Sequence, residues 1–294
     1  MLVARAWKDY EILDTGDGEK VERWGSFILR RPDPQIIWPW QKEREIRENV
    51  HAVYHRSSRG GGKWEILKKI PESWTIEYKE LKFKVSPTGF KHTGVFPEQA
   101  VNWDWMIEKI KKSGREIRVL NLFGYTGGAT LACVSAGASV CHVDASKGVV
   151  TWCHENAELS GFADRPIRYI VDDCLKFVER EIRRGKTYDA IITDPPSYGR
   201  GPKGEIWKIE DEMYRLLSGC ACLLSEDPLF VLVNSYTTGF SPYVPANILE
   251  MTLRKKAGGT ITAGEVGLPV KDSDIVLPCG VYARWENSKY TDNI

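Results

Sequence analysis

No stretch of the 294 residues approaches the roughly 18 consecutive apolar residues of a membrane-spanning helix, so no membrane span is expected. There is no Cys-x-x-Cys spacing among the seven cysteines, which argues against both a zinc site and a disulfide framework. Cys133, Cys141, Cys153, Cys174, Cys220, Cys222 and Cys279 therefore read as free thiols in a reducing compartment. His51 and His55 stand four apart, but no third ligand accompanies them, so no metal is expected. Internal repeats and low-complexity tracts are also missing. The opening MLVARAWKDYEILD carries acidic residues where a signal peptide needs unbroken apolar sequence, so the expected location is cytoplasmic. A net charge of +1 does not by itself suggest a polyanion partner.

What is present fits a globular chain: 42% hydrophobic and 28% charged residues, with a mean hydropathy of -0.35. The length allows one large domain, or a catalytic domain of about 200 residues with a smaller module. The charge is unevenly spread. Residues 1–118 carry 23 Lys+Arg against 18 Asp+Glu, and residues 119–294 carry 18 against 22. A basic front half can steer a polyanion.

Residues 1–95 lack sustained helical periodicity and read as a β-rich module. A turn at Thr15-Gly16-Asp17-Gly18 separates Tyr10–Leu13 from Lys20–Trp24, and Phe27–Leu29 follows. After the proline-rich RRPDPQIIWPW and a charged segment comes HRSSRGGGKWE, a glycine-rich loop with Arg56, Arg59 and Lys63 as candidate phosphate contacts. Ile76–Val85 reads as one strand. Trp38, Trp40, Trp64 and Trp74 suit either core packing or a stacking surface.

From residue 96 onward, helices and strands alternate. Strands are expected at 118–122, 140–143, 167–171, 188–193 and 229–234, with a closing pair at 260–266 and 280–285. Helices are expected at 100–111, from 129, from 146 (capped by Ser146) to 161, and at 175–183, 206–224 and 243–256. That alternation requires a mostly parallel sheet with helices on both faces.

Ligands of such a sheet bind outside the carboxyl ends of the strands. Phe123-Gly124-Tyr125-Thr126-Gly127-Gly128 follows the first strand, and its glycines let backbone approach a ligand at a helix N-terminus. This spacing is not the G-x-G-x-x-G dinucleotide pattern, which weakens the competing reading of an NAD-type oxidoreductase. Asp144, after the second strand, can accept from both hydroxyls of a ribose. Asp172-Asp173-Cys174 follows the third and can contact a base. Asp194-Pro195-Pro196-Ser197-Tyr198 follows the fourth, where two prolines leave rigid carbonyls beside a carboxylate, an acceptor array for an amine or ring N–H.

The set NLFGYTGG, VDAS, DD and DPPSYG resembles class I S-adenosylmethionine-dependent methyltransferases. More narrowly, the YTGG turn and the DPP-x-aromatic motif are similar to those of bacterial 23S ribosomal RNA large-subunit methyltransferases. The resemblance covers about residues 96–285. It implies a Rossmann-like, seven-stranded, mostly parallel sheet whose last strand is antiparallel, with S-adenosyl-L-methionine as cofactor. TGVFPEQ, ending at Gln99, resembles the polar strand that closes over that cofactor. By the same resemblance, Phe123, Gly124, Tyr125, Thr126, Gly127 and Gly128 line its methionine part. Asp144 binds the ribose with Ala145 and Ser146 beside it, and Asp173 or Asp172 faces the adenine amine with Cys174 adjacent. Asp194, Pro195, Pro196 and Tyr198 face the substrate.

The chain departs from cytosine-C5 enzymes, which need an attacking cysteine. Tyr236 stands in the apparent cysteine slot after the fifth strand, and Ser197 follows the prolines. It also departs from amino-group methyltransferases, in which an aromatic directly follows the prolines. The expected activity is direct in-line methylation of a ribosomal RNA base, with no membrane partner. A protein or small-molecule acceptor and a non-catalytic, cofactor-binding RNA scaffold stay open at this point.

Overall fold

Short alternating runs near the N-terminus pair into antiparallel strands because every second side chain finds a core. The computed structural model describes residues 1–57, 61–89, 91–254 and 257–290. Its contacts divide the chain into two units: Leu2–Ala100 with Gly267–Cys279, and Val101–Val266 with Gly280–Ile294. Residues 267–279, which the sequence pattern groups with the second domain, thus fold with the first unit, and the division falls at Val101.

The N-terminal unit contains β1 (Leu2–Val3), β2 (Tyr10–Gly16), β3 (Glu19–Trp24), β4 (Phe27–Pro32), α1 (Arg44–Glu48), β5 (Ala52–Arg56), β6 (Gly62–Ile66), β7 (Trp74–Tyr78) and β8 (Leu81–Val85). β2 to β6 form a five-stranded sheet in chain order, antiparallel except for the β4–β5 pair. The proline-rich segment is held against the β2–β3 turn, where Asp17 and Gly18 N–H donate to Trp38 O and Ile36 O, each at 2.8 Å. Ile76–Val85 is not one strand. Lys79, at φ 52°, turns the chain so that β7 and β8 pair as a hairpin. The glycine-rich loop likewise joins two paired strands, β5 and β6, with Arg56 opposite Gly62 and with Arg56 and Lys63 exposed. Arg59 lies outside the described residues.

The four tryptophans are half-buried and held by neighbours. Trp38 donates to Thr15 Oγ1, Trp64 to Thr88 O and Trp74 to Trp24 O, while Trp40 lies against Gly16 and under Arg47. His51 Nδ1 accepts the Ile28 N–H at 3.0 Å, and His55 Nε2 meets Glu65 at 2.7 Å. On β3 a carboxylate is fully buried. Glu22 accepts from Tyr10 OH at 2.6 Å and from Arg31 Nε and Nη2 at 2.6 and 2.8 Å.

The second unit contains β9 (Arg118–Leu122), β10 (Ser139–Asp144), β11 (Ile167–Val171), β12 (Ala190–Thr193), β13 (Tyr198–Arg200), β14 (Ile206–Lys208) and β15 (Phe230–Ser235). β16 (Thr260–Pro269) and β17 (Val276–Glu286) begin or end in it. Its helices are α2 (Ala100–Ser113), α3 (Gly128–Ser135), α4 (Lys147–Leu159), α5 (Cys174–Arg183), α6 (Ile209–Cys222) and α7 (Tyr243–Leu249), the last continued by a π-helical turn, Glu250–Arg254. Lys256, expected to end that helix, lies outside the described residues.

The large sheet runs β1-β16-β17-β15-β12-β9-β10-β11. β9, β10, β11, β12 and β15 are parallel, and β17 pairs antiparallel with β15. β1 extends the expected seven strands to eight: past Val266, β16 belongs to the N-terminal unit, where Ala4 N–H donates to Gly267 O at 3.0 Å. β12 and β15 are buried along their whole length, as strands covered on both faces must be. Successive strands extend to one side of β9 through β10 and β11 and to the other through β12 and β15. This is the switch point at which strand ends leave a crevice. The site described next lies there.

Candidate active site

Between β9 and α3 the chain makes an uncommon turn. Phe123 and Tyr125 have φ of 54° and 50°, and Gly127 has φ of 91°. Left-handed non-glycine residues cost about 1–3 kcal/mol each and persist only where neighbours over-determine them. Here many of the backbone groups have a partner. Phe123 N–H donates to Cys174 Sγ at 3.3 Å, Gly124 N–H to Val143 O at 3.0 Å, and Tyr125 N–H to Asp144 Oδ2 at 3.0 Å. Asn156 Nδ2 donates to Thr126 O at 2.9 Å. A side chain at Gly124 would sit 2.4 Å from the His142 ring, and one at Gly127 would sit 2.2 Å from Cys153 Sγ.

A buried polar layer lies under this turn. Asn121 and His142 are register partners on β9 and β10. Asn121 Nδ2 donates to Thr130 Oγ1, and that hydroxyl meets His142 Nδ1, each at 2.9 Å. Burial pushes His142 down to about 4, so it is neutral at pH 7. None of the three stands out in the motif reading. The available signal is a polar residue at matched positions in two otherwise apolar parallel strands.

Asp144 ends β10 and ties the turn to the next helix. Its Oδ2 accepts from Tyr125, and its Oδ1 accepts the Ser146 N–H at 2.9 Å. Burial raises the carboxyl pKa, and the N–H groups of Ser146, Tyr125 and Ala145 oppose that rise. A carboxylate has about four acceptor positions, so these N–H groups do not exhaust it. Ser146 is the N-cap residue of α4 but makes no side-chain cap bond; its N–H goes to Asp144 instead.

The two aspartates after β11 have different tasks. Asp172 pairs with Arg180, and its Oδ1 accepts the Asp173 N–H at 2.9 Å. Asp173 caps α5, accepting the Lys176 N–H at 2.9 Å. The Cys174 thiol does not face outward to a base. It is buried, with Sγ toward Phe123 N and Val143 O, and it pins the turn from beneath. Gln99 is buried at the end of a single helical turn, Pro97–Gln99, in the N-terminal unit.

The fourth strand end lies beside the first. Thr193 is in register with Leu122, and Asp194 N–H donates to Leu122 O at 3.4 Å. Pro195 is buried, and the Pro196 carbonyl is already taken by the Trp207 indole N–H at 2.6 Å. The Pro196 carbonyl is therefore withdrawn from the acceptor array expected of this loop. Ser197 Oγ meets Thr237 Oγ1 at 2.8 Å, joining this loop to the segment after β15. Residues 198–208 form a hairpin, β13 and β14, so the helix expected from 206 begins instead at Ile209. Trp207, which no motif marks, is 5% exposed and packs on Phe123 with ring centroids 5.0 Å apart. It thereby couples the proline loop to the glycine turn.

Five of the seven cysteines are buried. Burial pushes Cys141 up to about 11 and Cys220 up to about 12, which suppresses the thiolate form. No group of three or more His, Cys, Asp or Glu among the described residues is placed to hold a metal ion.

The site thus offers one carboxylate at one strand end, two at the next, and a tight turn leading into a helix N-terminus beside them. That donor and acceptor set fits S-adenosylmethionine, which carries a ribose diol, an adenine amine and an amino-carboxylate tail. Residues 41–254 match the family model for S-adenosylmethionine-dependent methyltransferases. The crystal structure of an S-adenosylmethionine-dependent methyltransferase from Agrobacterium tumefaciens is 36% identical, covers 97% of this chain and 92% of its own, and superposes with a TM-score of 0.93. A methyltransferase solved with SAH is 20% identical over 95% of this chain and 76% of its own, with a TM-score of 0.73, and shares the fold. Among curated proteins, ribosomal RNA large subunit methyltransferase K/L of Magnetococcus marinus is 28% identical over 61% of this chain and 24% of its own length. Ribosomal RNA large subunit methyltransferase K of Neisseria meningitidis serogroup B is 24% identical over 75% of this chain and 64% of its own. The chain thus spans about a quarter of the first relative and somewhat under two thirds of the second. With the family model matched over most of its length, the chain belongs to the S-adenosylmethionine-dependent methyltransferases.

Proposed function

We propose that the protein methylates a base of ribosomal RNA by direct in-line transfer, without a covalent cysteine adduct. The observation that carries this reading is the Asp194–Leu122 contact, which sets the Asp-Pro-Pro loop directly beside the glycine turn. The names of the curated relatives supply the substrate class. S-adenosylmethionine, when bound, supplies a methyl group activated by its sulfonium. Phe123, Gly124, Tyr125, Thr126, Gly127 and Gly128 hold its methionine part. Asp144 takes the ribose diol beside Ala145 and Ser146, and Asp173 and the Cys174 backbone take the adenine, with Asp172 held back by Arg180. The Asp194 carboxylate and Pro195 carbonyl accept from a target amine or ring N–H and aim its lone pair. Tyr198, 51% exposed, stacks a base turned out of its strand. Arg56 and Lys63 contact phosphates from the N-terminal unit. A ribosomal substrate implies a cytoplasmic location, and no helix among the described residues is long and apolar enough to cross a membrane.

Incubation with methyl-labelled cofactor and separated RNA and protein fractions tests the proposal. Label in RNA is expected, and label confined to protein or small molecules contradicts it.

Asp144→Ala is expected to weaken cofactor binding by about 1–3 kcal/mol, the scale for removing a charged hydrogen-bond partner. Calorimetry showing unchanged affinity in a folded variant would remove Asp144 from the site.

No crosslink is expected with 5-fluorocytosine-substituted RNA, because Ser197 and Tyr236 occupy the two cysteine positions and most thiols are buried. A stable adduct through any cysteine would overturn the direct mechanism.

A further inference from the structure

We infer that the outward face of the β13–β14 hairpin is a contact surface for single-stranded RNA, an inference that rests on the ribosomal RNA reading above. Three cross-strand pairs define the hairpin: Tyr198 with Lys208, Gly199 with Trp207, and Arg200 with Ile206. Side chains on paired strands alternate between faces. Gly199 and Trp207 therefore share the inner face, which is fixed: the Trp207 indole donates to Pro196 O, and its ring packs on Phe123. The outer face presents Tyr198, Arg200, Ile206 and Lys208, all exposed, with Ile206 57% accessible.

Two cations flanking an aromatic ring and an aliphatic side chain match the chemistry of a single strand. Base faces stack on the ring, and phosphates pair with the cations. Among the described residues, Arg200 makes no ion pair. Lys208 has only a loose one, 3.9 Å from Asp211 on the first turn of α6, where Glu210 and Glu212 also lie. The one acidic residue in the hairpin itself is already engaged. Glu205 Oε1 meets Lys176 Nζ of α5 at 2.6 Å, and its Oε2 accepts the Lys203 N–H at 2.9 Å. These bonds also hold the tip in place: Gly201 N–H donates to Glu205 O at 2.8 Å, so the surface is ordered before a strand arrives. The hairpin begins two residues after Pro196, so a strand lying on it brings a base to the Asp194 loop.

The double variant Arg200→Ala/Lys208→Ala tests this with a ribosomal RNA fragment as substrate. Apparent KM is expected to rise about tenfold. The slope of log affinity against log salt is expected to flatten by about 1.4, from two phosphate contacts at about 0.7 each on a single strand. The charge-keeping variant Arg200→Lys/Lys208→Arg is expected to stay within about threefold of wild type. Cofactor affinity by calorimetry and the circular dichroism spectrum report that each variant is folded. Unchanged KM and salt slope, in a protein whose wild type methylates the RNA, would overturn the hairpin surface and leave the substrate reading standing. Failure of the wild type to bind or methylate any RNA would overturn the substrate reading and the inference with it.

Discussion

Asp194→Ala is expected to lower kcat by about 10²-fold or more while RNA binding stays close to wild type. The proposed role of this carboxylate draws support from its position and surroundings. It directly follows β12, next to β9 at the sheet's switch point, and its own N–H is fixed on Leu122 O. The buried Pro195 follows it and limits its backbone, and the next carbonyl is withdrawn to Trp207. In the proposed mechanism one carboxylate and one carbonyl orient the incoming amine. Losing the carboxylate therefore removes an acceptor that acts on alignment, which is worth more in the transition state than in the ground state. Asp194→Asn keeps the shape but replaces one acceptor by a donor, and it is expected to fall nearly as far. A folded Asp194→Ala protein with kcat within threefold of wild type would show that another group orients the substrate. Single-turnover rates with saturating RNA separate this effect from binding.

The second large effect lies in the N-terminal unit. Glu22→Ala is expected to destabilise that unit by about 3–5 kcal/mol, because it leaves Arg31 buried without its partner. Burial is the largest single influence and disfavours both charges, but the partner ion, its hydrogen bonds and neighbouring groups together outweigh it: Glu22 is drawn down to about 2 and Arg31 is raised. Lys20, 3.7 Å from Glu22 and 3.2 Å from Asp33, adds to the same field. Arg31 also donates through Nη1 to Lys91 O at 2.7 Å and lies 5.2 Å from the Trp24 ring centroid. Loss of the carboxylate therefore reaches the segment leading to Gln99. Because the Glu22 pKa is lower in the folded state, its contribution is complete above about pH 4.5 and fades as the pH falls toward 2. Hydrogen exchange of the β2–β4 amides reads this unit separately from the other. Glu22→Leu with Arg31→Met is expected to recover much of the loss, since an apolar pair leaves no stranded charge. Protection unchanged in Glu22→Ala would show that the pair contributes nothing net.

Much of the second unit was legible because buried parallel strands are written as continuous apolar runs. AIIT and FVLVNS are each located to within two residues at either end, and the residues after them mark the strand ends. The elements misread are those whose cue is short or distant. β7 and β8 turn at Lys79-Glu80, with neither glycine nor proline to announce it. β13 and β14 are three residues each, and Ile206-Trp207 also begins a helical repeat; the Gly-Pro-Lys-Gly turn between them is the visible clue. Residues 267–279 return to the first unit through long-range pairing, as in Lys271 N–H to Ile12 O at 2.8 Å, which no local pattern encodes. Within the site, the strand-end carboxylates were readable from position. Their supports were not: Trp207, His142, Thr130 and the inward thiol of Cys174 act through packing across elements, which spacing along the chain does not record.

Mass mapping of ribosomal RNA from a strain lacking this protein tests base methylation most directly. One base is expected to lose a methyl group and to regain it when the purified protein and S-adenosylmethionine are added, but not with Asp194→Ala. Ribosomal RNA with an unchanged methylation map, and no nucleotide labelled by the purified protein, would contradict it.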